Sequence, residues 1–415
     1  MTIAKFFTIA YRDLVRNRRR TILTALVVAL GLVVAMSFSG LLEGMLVSML
    51  ADNIRVSTGH LQIQNKNYED NKPSLLYQDL LQDGETLAAQ VEALSEVKSA
   101  APVLWNGGLL STPRESFGVE IMGIDPDDDF HAPIREGIVA GEFLKADDRG
   151  RILIGQRLAN EMGISVGQRV SLAASDANGQ GQENTFTVAG LVDTGFPGID
   201  QNRVILPLTQ AQSFSVVGNR VSSIIVMLYT QEDADTVAAK LQGSELKIRT
   251  WEDLNSLLLQ SWEVGIVYYY VLYGIVFLVV AALIANTLLM SVFARAREIG
   301  ILASLGMKRG QILLLFLIEG ILLGLLGTAV GWVLGLGAVS YLTFVGIPIP
   351  AETVSLVEGF AFGTTMYGGF APDQFAILSL LLLVIVALVS LYPAWYAARM
   401  EPVEALHSQI GRAHV

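Results

Sequence analysis

Four stretches of the chain are almost wholly apolar: residues 21–47, 264–292, 312–345 and 375–394. Each reaches the roughly 20 residues that carry a helix across about 30 Å of hydrocarbon, so each predicts a spanning helix. Ahead of the first, Ile3, Phe6, Phe7, Ala10 and Leu14 recur at helical spacing with Arg12 and Arg16 on other faces, the pattern of a helix lying in a membrane interface. The polar segment between the first two stretches has a different rhythm. GHLQI, GVEIMGI, RILIG, RVSLAAS, FTVAGLV, NRVILPL and SSIIVMLY are short apolar runs bounded by Gly, Asp and Asn, with the β-branched content of strands. GETLAAQVEALSEV, QRLANEMG, LTQAQSF and DADTVAAKLQ read as helices between them, which predicts an α+β domain.

Composition agrees with a membrane protein: 52% of the 415 residues are hydrophobic and 16% charged. RNRRR followed by TILTALVVALGLVVAM resembles a secretory signal. The apolar run continues through SFSGLLEGMLVSML without a clean small-x-small end, however, which predicts an uncleaved anchor. Outside the polar segment, every Lys and Arg lies within residues 5–20, within 295–309, or at Arg399 and Arg412, and the loop 346–374 has none. By the positive-inside rule both termini and the 294–310 loop are expected in the cytoplasm and the polar segment outside. That segment holds 16 Lys and Arg against 30 Asp and Glu, which argues against nucleic acid as a partner. The chain has no cysteine, so the external domain must be held by its own core.

Within the third apolar stretch, Gly320, Gly324, Gly327, Gly331 and Gly335 recur every three or four residues. Such small-residue faces let helices approach closely; packing is the expected use, although the same density permits bending. Glu319 enters the same stretch and must cap, reach the interface or pair, with Lys308 and Arg309 the nearest cations in sequence. No phosphate-binding G-x-x-x-x-G-K-[ST], nucleophile elbow or H-E-x-x-H helix occurs, and the four histidines are scattered, so neither catalysis nor a metal is expected of this chain. IDPDDDF has calcium-loop spacing at Asp125, Asp127 and Asp129, but Phe130 stands where the loop needs Gly, so a solvated turn is expected.

Between the second and third stretches, REIGILASLGM places Ile299, Leu302 and Leu305 on one face with Ile301 beside it, and Gly306 ends the helix. The face suits either a membrane surface or a groove on another protein. The longer segment SVFARAREIGILASLGMKRGQILLLFLIEGILLGLLG resembles the signature of the FtsX/MacB-type ABC permease family, and YPAWYAARMEPVEAL resembles its closing motif. VEIMGIDPDDD, RILIGQRLANEMGISVGQRVSL and FTVAGLVDTGFPGIDQNRVILPLTQAQ are similar to the family's MacB-like periplasmic core domain. With RVSTGHLQI they look most like the LolC/LolE lipoprotein-releasing group. MacB's fused ATPase domain is expected to be missing here, the external domain is larger than that of cell-division FtsX, and the tail SQIGRAHV fits no part of the pattern.

The resemblance implies an α-helical membrane protein with four transmembrane helices and a large α+β extracytoplasmic domain between helices 1 and 2. The expected segments are an interfacial helix 1–20, spans 21–50, 263–293, 311–345 and 375–396, the domain 51–262, a coupling helix 294–310, a short outer loop 346–374 and a tail 397–415. It implies a non-catalytic permease of a bacterial inner membrane that pairs with the same chain or a paralogue and with two copies of an ABC ATPase, which hold the ATP and Mg. Arg297, Glu298, Ile299, Gly300, Leu302, Leu305 and Gly306 would meet the ATPase, with Glu401, Pro402 and Val403 nearby. In the lipoprotein-releasing group, acyl chains enter from the lipid between the first two spans before transfer to a periplasmic carrier. Met36, Phe38, Leu41, Leu42, Met45, Ile266, Tyr269, Tyr270 and Tyr273 are the candidate acyl contacts. The alternatives are a MacB-like tripartite exporter and an FtsX-like mechanotransmitter that activates an external hydrolase.

Overall fold

The computed structural model describes residues 3–69, 75–241, 243, 245–348 and 365–400. They form two compact units: a helical one from the residues up to Val47, Trp262–Pro348 and those from Thr365 on, and an α/β one from Ser48–Ser261.

With helices numbered in chain order, the helical unit takes its elements from α1 (Ile3–Arg16), α2 (Arg18–Asn53), α10 (Ser256–Ala294), α11 (Ala296–Ser304), α12 (Arg309–Phe344) and α13 (Pro372–Arg399). Among the described residues four helices are long and apolar enough to cross a membrane, and they coincide with the four apolar stretches, the third helix ending one residue short at Phe344. At 1.5 Å per residue the 39 residues of α10 extend about 58 Å, well beyond a hydrocarbon core, the helix running unbroken through Gly265 where the apolar stretch begins.

Gly320, Gly324, Gly327, Gly331 and Gly335 of α12 fall on one face, within an arc of about 80° at 3.6 residues per turn, yet they meet two partners in succession. A Cβ at Gly320 would overlap Ser390 and one at Gly324 would press on Val386, both of α13. At Gly327 it would lie 2.5 Å from Val28 Cβ, at Gly331 3.0 Å from Leu32 Cδ2 and at Gly335 2.7 Å from Met36 Sδ, all of α2. One face of α12 thus carries two helix crossings. Beyond α12, β11 (Ile347–Pro348) pairs with β12 (Thr365–Met366), and the returning chain lies on α2, where Gly369 N donates to Gly40 O at 2.7 Å. Gly44 is required there because a Cβ would overlap the carbonyl oxygen of Tyr367.

The described residues of the α/β unit form ten strands: β1 (Leu61–Asn65), β2 (Val97–Ser111), β3 (Ser116–Ile124), β4 (Ile138–Gly141), β5 (Arg151–Gly155), β6 (Arg169–Ser175), β7 (Gly181–Val192), β8 (Arg203–Pro207), β9 (Ser223–Leu228) and β10 (Leu246–Thr250). Its helices are α3 (Gly84–Glu92), α4 (Ala132–Glu136), α5 (Gln156–Glu161), α6 (Pro197–Asp200), α7 (Leu208–Ser215), α8 (Ala234–Leu241) and α9 (Trp251–Leu254). The strand order is β10-β1-β9-β2-β3-β8-β5-β7-β4, and β6 joins β2 to β7, so β2, β3, β8, β5, β7 and β6 close a ring. Closure removes free edges on that side. Pairing is antiparallel except for β3 with β8 and β5 with β7.

Alternate residues enter two cores. Ile152 and Ile154 of β5, Val204 and Leu206 of β8, and Ile224 and Val226 of β9 fill one; Leu153, Ile205 and Ile225 fill the other. Burial on both faces is why these strands read as continuous apolar runs. The runs read as strands and helices in the sequence fall on β1, β3, β5 to β9, α3, α5, α7 and α8. Three strands of this unit were missed, β2, β4 and β10; the longest of them, β2, contains Pro102, Asn106, Gly107 and Gly108. Residues 97–103 of β2 pair on one side only, with β9, so Pro102 owes no second ladder bond. Residues 108–111 pair on both sides, with β3 and β6, and a Cβ at Gly108 would lie 2.7 Å from Ile121 Cδ1 and 2.8 Å from Ala173 O. In IDPDDDF, the side chain of Asp125 accepts from Asp127 N at 3.0 Å and that of Asp128 from Phe130 N at 2.7 Å, which closes a turn.

Candidate functional site

At Arg295 the chain leaves α10 with φ −109° and ψ 11°, and α11 starts one residue later. Its other end is set by Gly306, whose φ of +90° only glycine adopts without strain. Met307 N reaches back to Leu302 O and Gly306 N to Ala303 O, closing the last turn. The side chain of Gln311 then accepts from Lys308 N at 3.0 Å and opens α12.

The apolar residues of α11 divide between its two sides. Ile299 is 3% exposed and packs with Val292, Ile312, Phe316, Ala394 and Ala397, and Ala296 and Gly300 are buried on the same side. Leu305 is 79% exposed and Ile301 44%, with Arg297 and Ser304 also at the surface and Leu302 half-buried. The expected face of Ile299, Leu302 and Leu305 is therefore split, with Ile299 and Gly300 holding the helix to its own bundle. The outward face carries one cation and two aliphatic side chains.

Behind α11 lies a layer of ion pairs that sequence spacing does not disclose. Arg295 Nη1 donates to Glu319 Oε2 at 3.1 Å, Arg295 Nε donates to Glu298 Oε2 at 3.1 Å, and Arg295 also pairs with Asp13. Arg20 Nη2 donates to Glu319 Oε1 at 2.7 Å, and Arg16 Nη2 donates to Glu298 Oε1 at 2.8 Å. Three arginines thus meet three carboxylates drawn from α1, α2, α11, α12 and the break at Arg295. Glu319, 1% exposed, takes Arg20 and Arg295 as partners, where proximity in sequence points to Lys308 and Arg309. Burial opposes ionisation of Glu298, but the hydrogen bonds from Arg295 and Arg16 outweigh it and hold its carboxyl below the ordinary range. Helix α1 buries Phe6, Ala10 and Leu14, with Phe6 and Ala10 packed with Leu315 of α12, and leaves Phe7, Tyr11 and Val15 exposed.

A second cluster joins α2 and α10. Phe38 lies edge-on to Tyr269 at 5.8 Å and to Tyr273 at 6.1 Å, and Tyr270 is edge-on to Tyr273 at 6.2 Å. A cleft of about 20 Å³, room for about one water, is lined by Leu42, Glu43, Trp262, Ile266, Tyr269, Tyr270, Tyr273 and Gln374.

Comparison with known proteins now decides the class. The family described as "MacB-like periplasmic core domain" matches residues 21–244, more than half the chain, and "FtsX-like permease C-terminal" matches residues 270–402. The chain belongs to the FtsX/MacB-type ABC permease family. The lipoprotein-releasing system transmembrane protein LolC of Neisseria meningitidis is 23% identical over 78% of this chain and 81% of its own length. An uncharacterized ABC transporter permease of Methanocaldococcus jannaschii is 22% identical over 99% of each chain. The probable export ATP-binding/permease protein MacB of Pseudomonas entomophila is 26% identical over 96% of this chain and 58% of its own.

Within this permease, the structure brings some expected residues together and separates others. Leu42, Ile266, Tyr269, Tyr270 and Tyr273 share the cleft, and Phe38 stacks beside it. Met36 is buried against Gly335 of α12, while Leu41 and Met45 are half-buried on α2 outside the cleft lining. Glu401, Pro402 and Val403 lie outside the described residues. Sequence reasoning missed Trp262, Glu43 and Gln374 of the cleft, and Gln374 accepts a hydrogen bond from Ser39 at 2.7 Å. A carboxylate late in an apolar stretch was the available signal for Glu43.

Proposed function

We propose that this chain is the permease subunit of an ABC transporter that releases lipoproteins, or similarly lipidated cargo, from a bacterial inner membrane. A separate ATPase docks on the outward face of α11. The observation that carries the docking is that face: Arg297, Ile301 and Leu305 are exposed on a helix whose other side is fixed to the bundle by Ile299 and an ion-pair layer. A helix bound behind and open in front suits insertion into a groove. Both termini and α11 lie in the cytoplasm, supported by the placement of the basic residues, and the α/β unit lies in the periplasm. Two permease subunits pair, each with an ATPase that holds ATP and Mg. Likeness to LolC over 81% of that protein supports a lipid-anchored cargo, with the aromatic cleft between α2 and α10 as its contact. At about 20 Å³ the cleft holds no acyl chain as it stands, so entry requires α2 and α10 to part.

The test is reconstitution with the ATPase in lipid vesicles. A triacylated lipoprotein should stimulate ATP hydrolysis and leave the membrane when ATP is added; hydrolysis without release removes the lipoprotein assignment. Alignment of MacB over 96% of this chain favours a second reading, export of a periplasmic substrate, for which release would fail while a soluble substrate stimulates hydrolysis.

A further inference from the structure

The ion-pair layer ties α11 to a helix that carries no part of the docking face. Asp13 and Arg16 sit on α1; Asp13 pairs with Arg295 at the break before α11, and Arg16 pairs with Glu298 within α11. The two links differ in environment. The side chains of Asp13 and Arg295 are 11% and 10% exposed, whereas those of Arg16 and Glu298 are 57% and 47% exposed. An exposed pair contributes little, while separating a buried pair strands a charge away from water. The Asp13–Arg295 contact therefore governs whether α1 follows α11. Arg295 also holds Glu319 of α12, and its guanidinium carbon lies 5.6 Å from the centre of the Phe316 ring, so it cannot swing aside without losing several partners.

We propose that Arg295 and Asp13 are positioning residues that join α1 to α11, so that the two helices move as one body when the ATPase displaces α11. This rests on the docking reading given above. The lever then includes α1, whose exposed Phe7, Tyr11 and Val15 lie along one side at four-residue spacing. A stroke delivered at Leu305 thereby reaches α1 as well as α12.

The chain has no cysteine, so pairs of spin labels can be placed on it at chosen positions before the ATPase is added. Labels at Arg12→Cys on α1 and Ser304→Cys on α11, both exposed positions, report the α1–α11 distance. A second pair, Ser304→Cys with the exposed Leu388→Cys on α13, reports whether α11 moves at all. Distances are measured in the complex with the added ATPase, with and without ATP. The expected result is a changed α11–α13 distance with an unchanged α1–α11 distance. In the Asp13→Asn background the α1–α11 distribution should broaden at least twofold and respond to ATP; Arg16→Gln should leave it as in the parent, and Arg295→Lys, which keeps the charge, should restore part of the Arg295→Gln defect. A parent α1–α11 distance that changes with ATP while the α11–α13 distance also changes overturns the proposal and leaves the docking reading standing. An α11–α13 distance that ignores ATP overturns both. The parent measurement decides the matter even where a variant fails to fold.

Discussion

Two glycines of α12 ten residues apart give opposite predictions for the same substitution. At Gly337 a Cβ would have nothing within 4 Å of it, so Gly337→Ala gains only backbone entropy, at most about 1 kcal/mol. At Gly327 the new Cβ would lie 2.5 Å from Val28 Cβ and 2.9 Å from Ala25 O. The first atom is the root of a buried side chain and the second is backbone, so neither yields by rotating, and α2 must be pushed away from α12. Overpacking of this kind costs about 1–3 kcal/mol, and the backbone contact argues for the upper half. After subtracting the same entropic gain, Gly327→Ala should lose about 1–2 kcal/mol, leaving the two variants separated by about 2–3 kcal/mol. Unfolding of each variant in mixed micelles, titrated with a denaturing detergent and followed by tryptophan fluorescence, measures the difference. Equal stabilities would refute the close approach of α2 and α12 at Gly327, and with it the account of why this face is glycine.

Leu305→Arg adds charge where the side chain is 79% exposed, so the permease should insert and unfold as before while ATPase capture weakens at least tenfold, about 1.4 kcal/mol, in a titration with the purified ATPase. His131 is fully buried, with both ring nitrogens lacking a hydrogen-bond partner among the described residues; burial, helped by Arg135, pushes its pKa down to about 3. The unfolded state then binds a proton that the folded state refuses between pH 3 and the ordinary 6.5. His131 should therefore contribute a loss of stability on acidification through that window of up to about 1.4 kcal/mol per pH unit, with no contribution above it, whereas Asp200, whose pKa burial raises to about 6, contributes in the opposite direction. His131→Leu should remove that loss from the slope seen in hydrogen exchange of β3 and β8 on the full chain; an unchanged slope would assign it to other groups. Gly44→Val should displace the returning chain at Tyr367, read as new proteolysis near residue 367 in the intact protein.

The spans were legible because a bilayer demands long apolar runs, and β5, β8 and β9 because two-sided burial leaves no polar position to confuse the pattern. β2 was hidden by Pro102, Gly107 and Gly108, residues that strand propensity disfavours; its one-sided pairing near Pro102 and tight packing at Gly108 emerge only once β9, β3 and β6 are in place. On α11 both sides carry aliphatic residues, so periodicity found the helix but could not say that Ile299 faces in and Leu305 faces out. The ion-pair layer was beyond any spacing rule, since Asp13 and Arg295 are 282 residues apart. What the sequence did disclose was the anomaly at Glu319, a carboxylate in an apolar stretch, whose cations come from elements far from it in the chain.

The two layers behind α11 do different physical work. An apolar layer is non-directional, so Ile299 against Val292, Ile312 and Phe316 would tolerate sliding or rolling of the helix with little loss of buried area. Hydrogen-bonded ion pairs are directional: a slide of one helical residue, about 1.5 Å, directed along the bonds would stretch contacts now at 2.8 and 3.1 Å outside bonding range. Glu298 and Glu319 are each shared by two arginines, so such a slide breaks several contacts together. Force applied to the exposed Leu305 is then passed on by a body of fixed register, where apolar packing alone would absorb it as slip. Arg295, Asp13 and Glu319 lie buried, where ion pairs are shielded from salt and water, whereas Arg16 and Glu298 are half-exposed and add less. The aliphatic side chains of Ile301 and Leu305 lie outside, as a face that exchanges water for a partner would need.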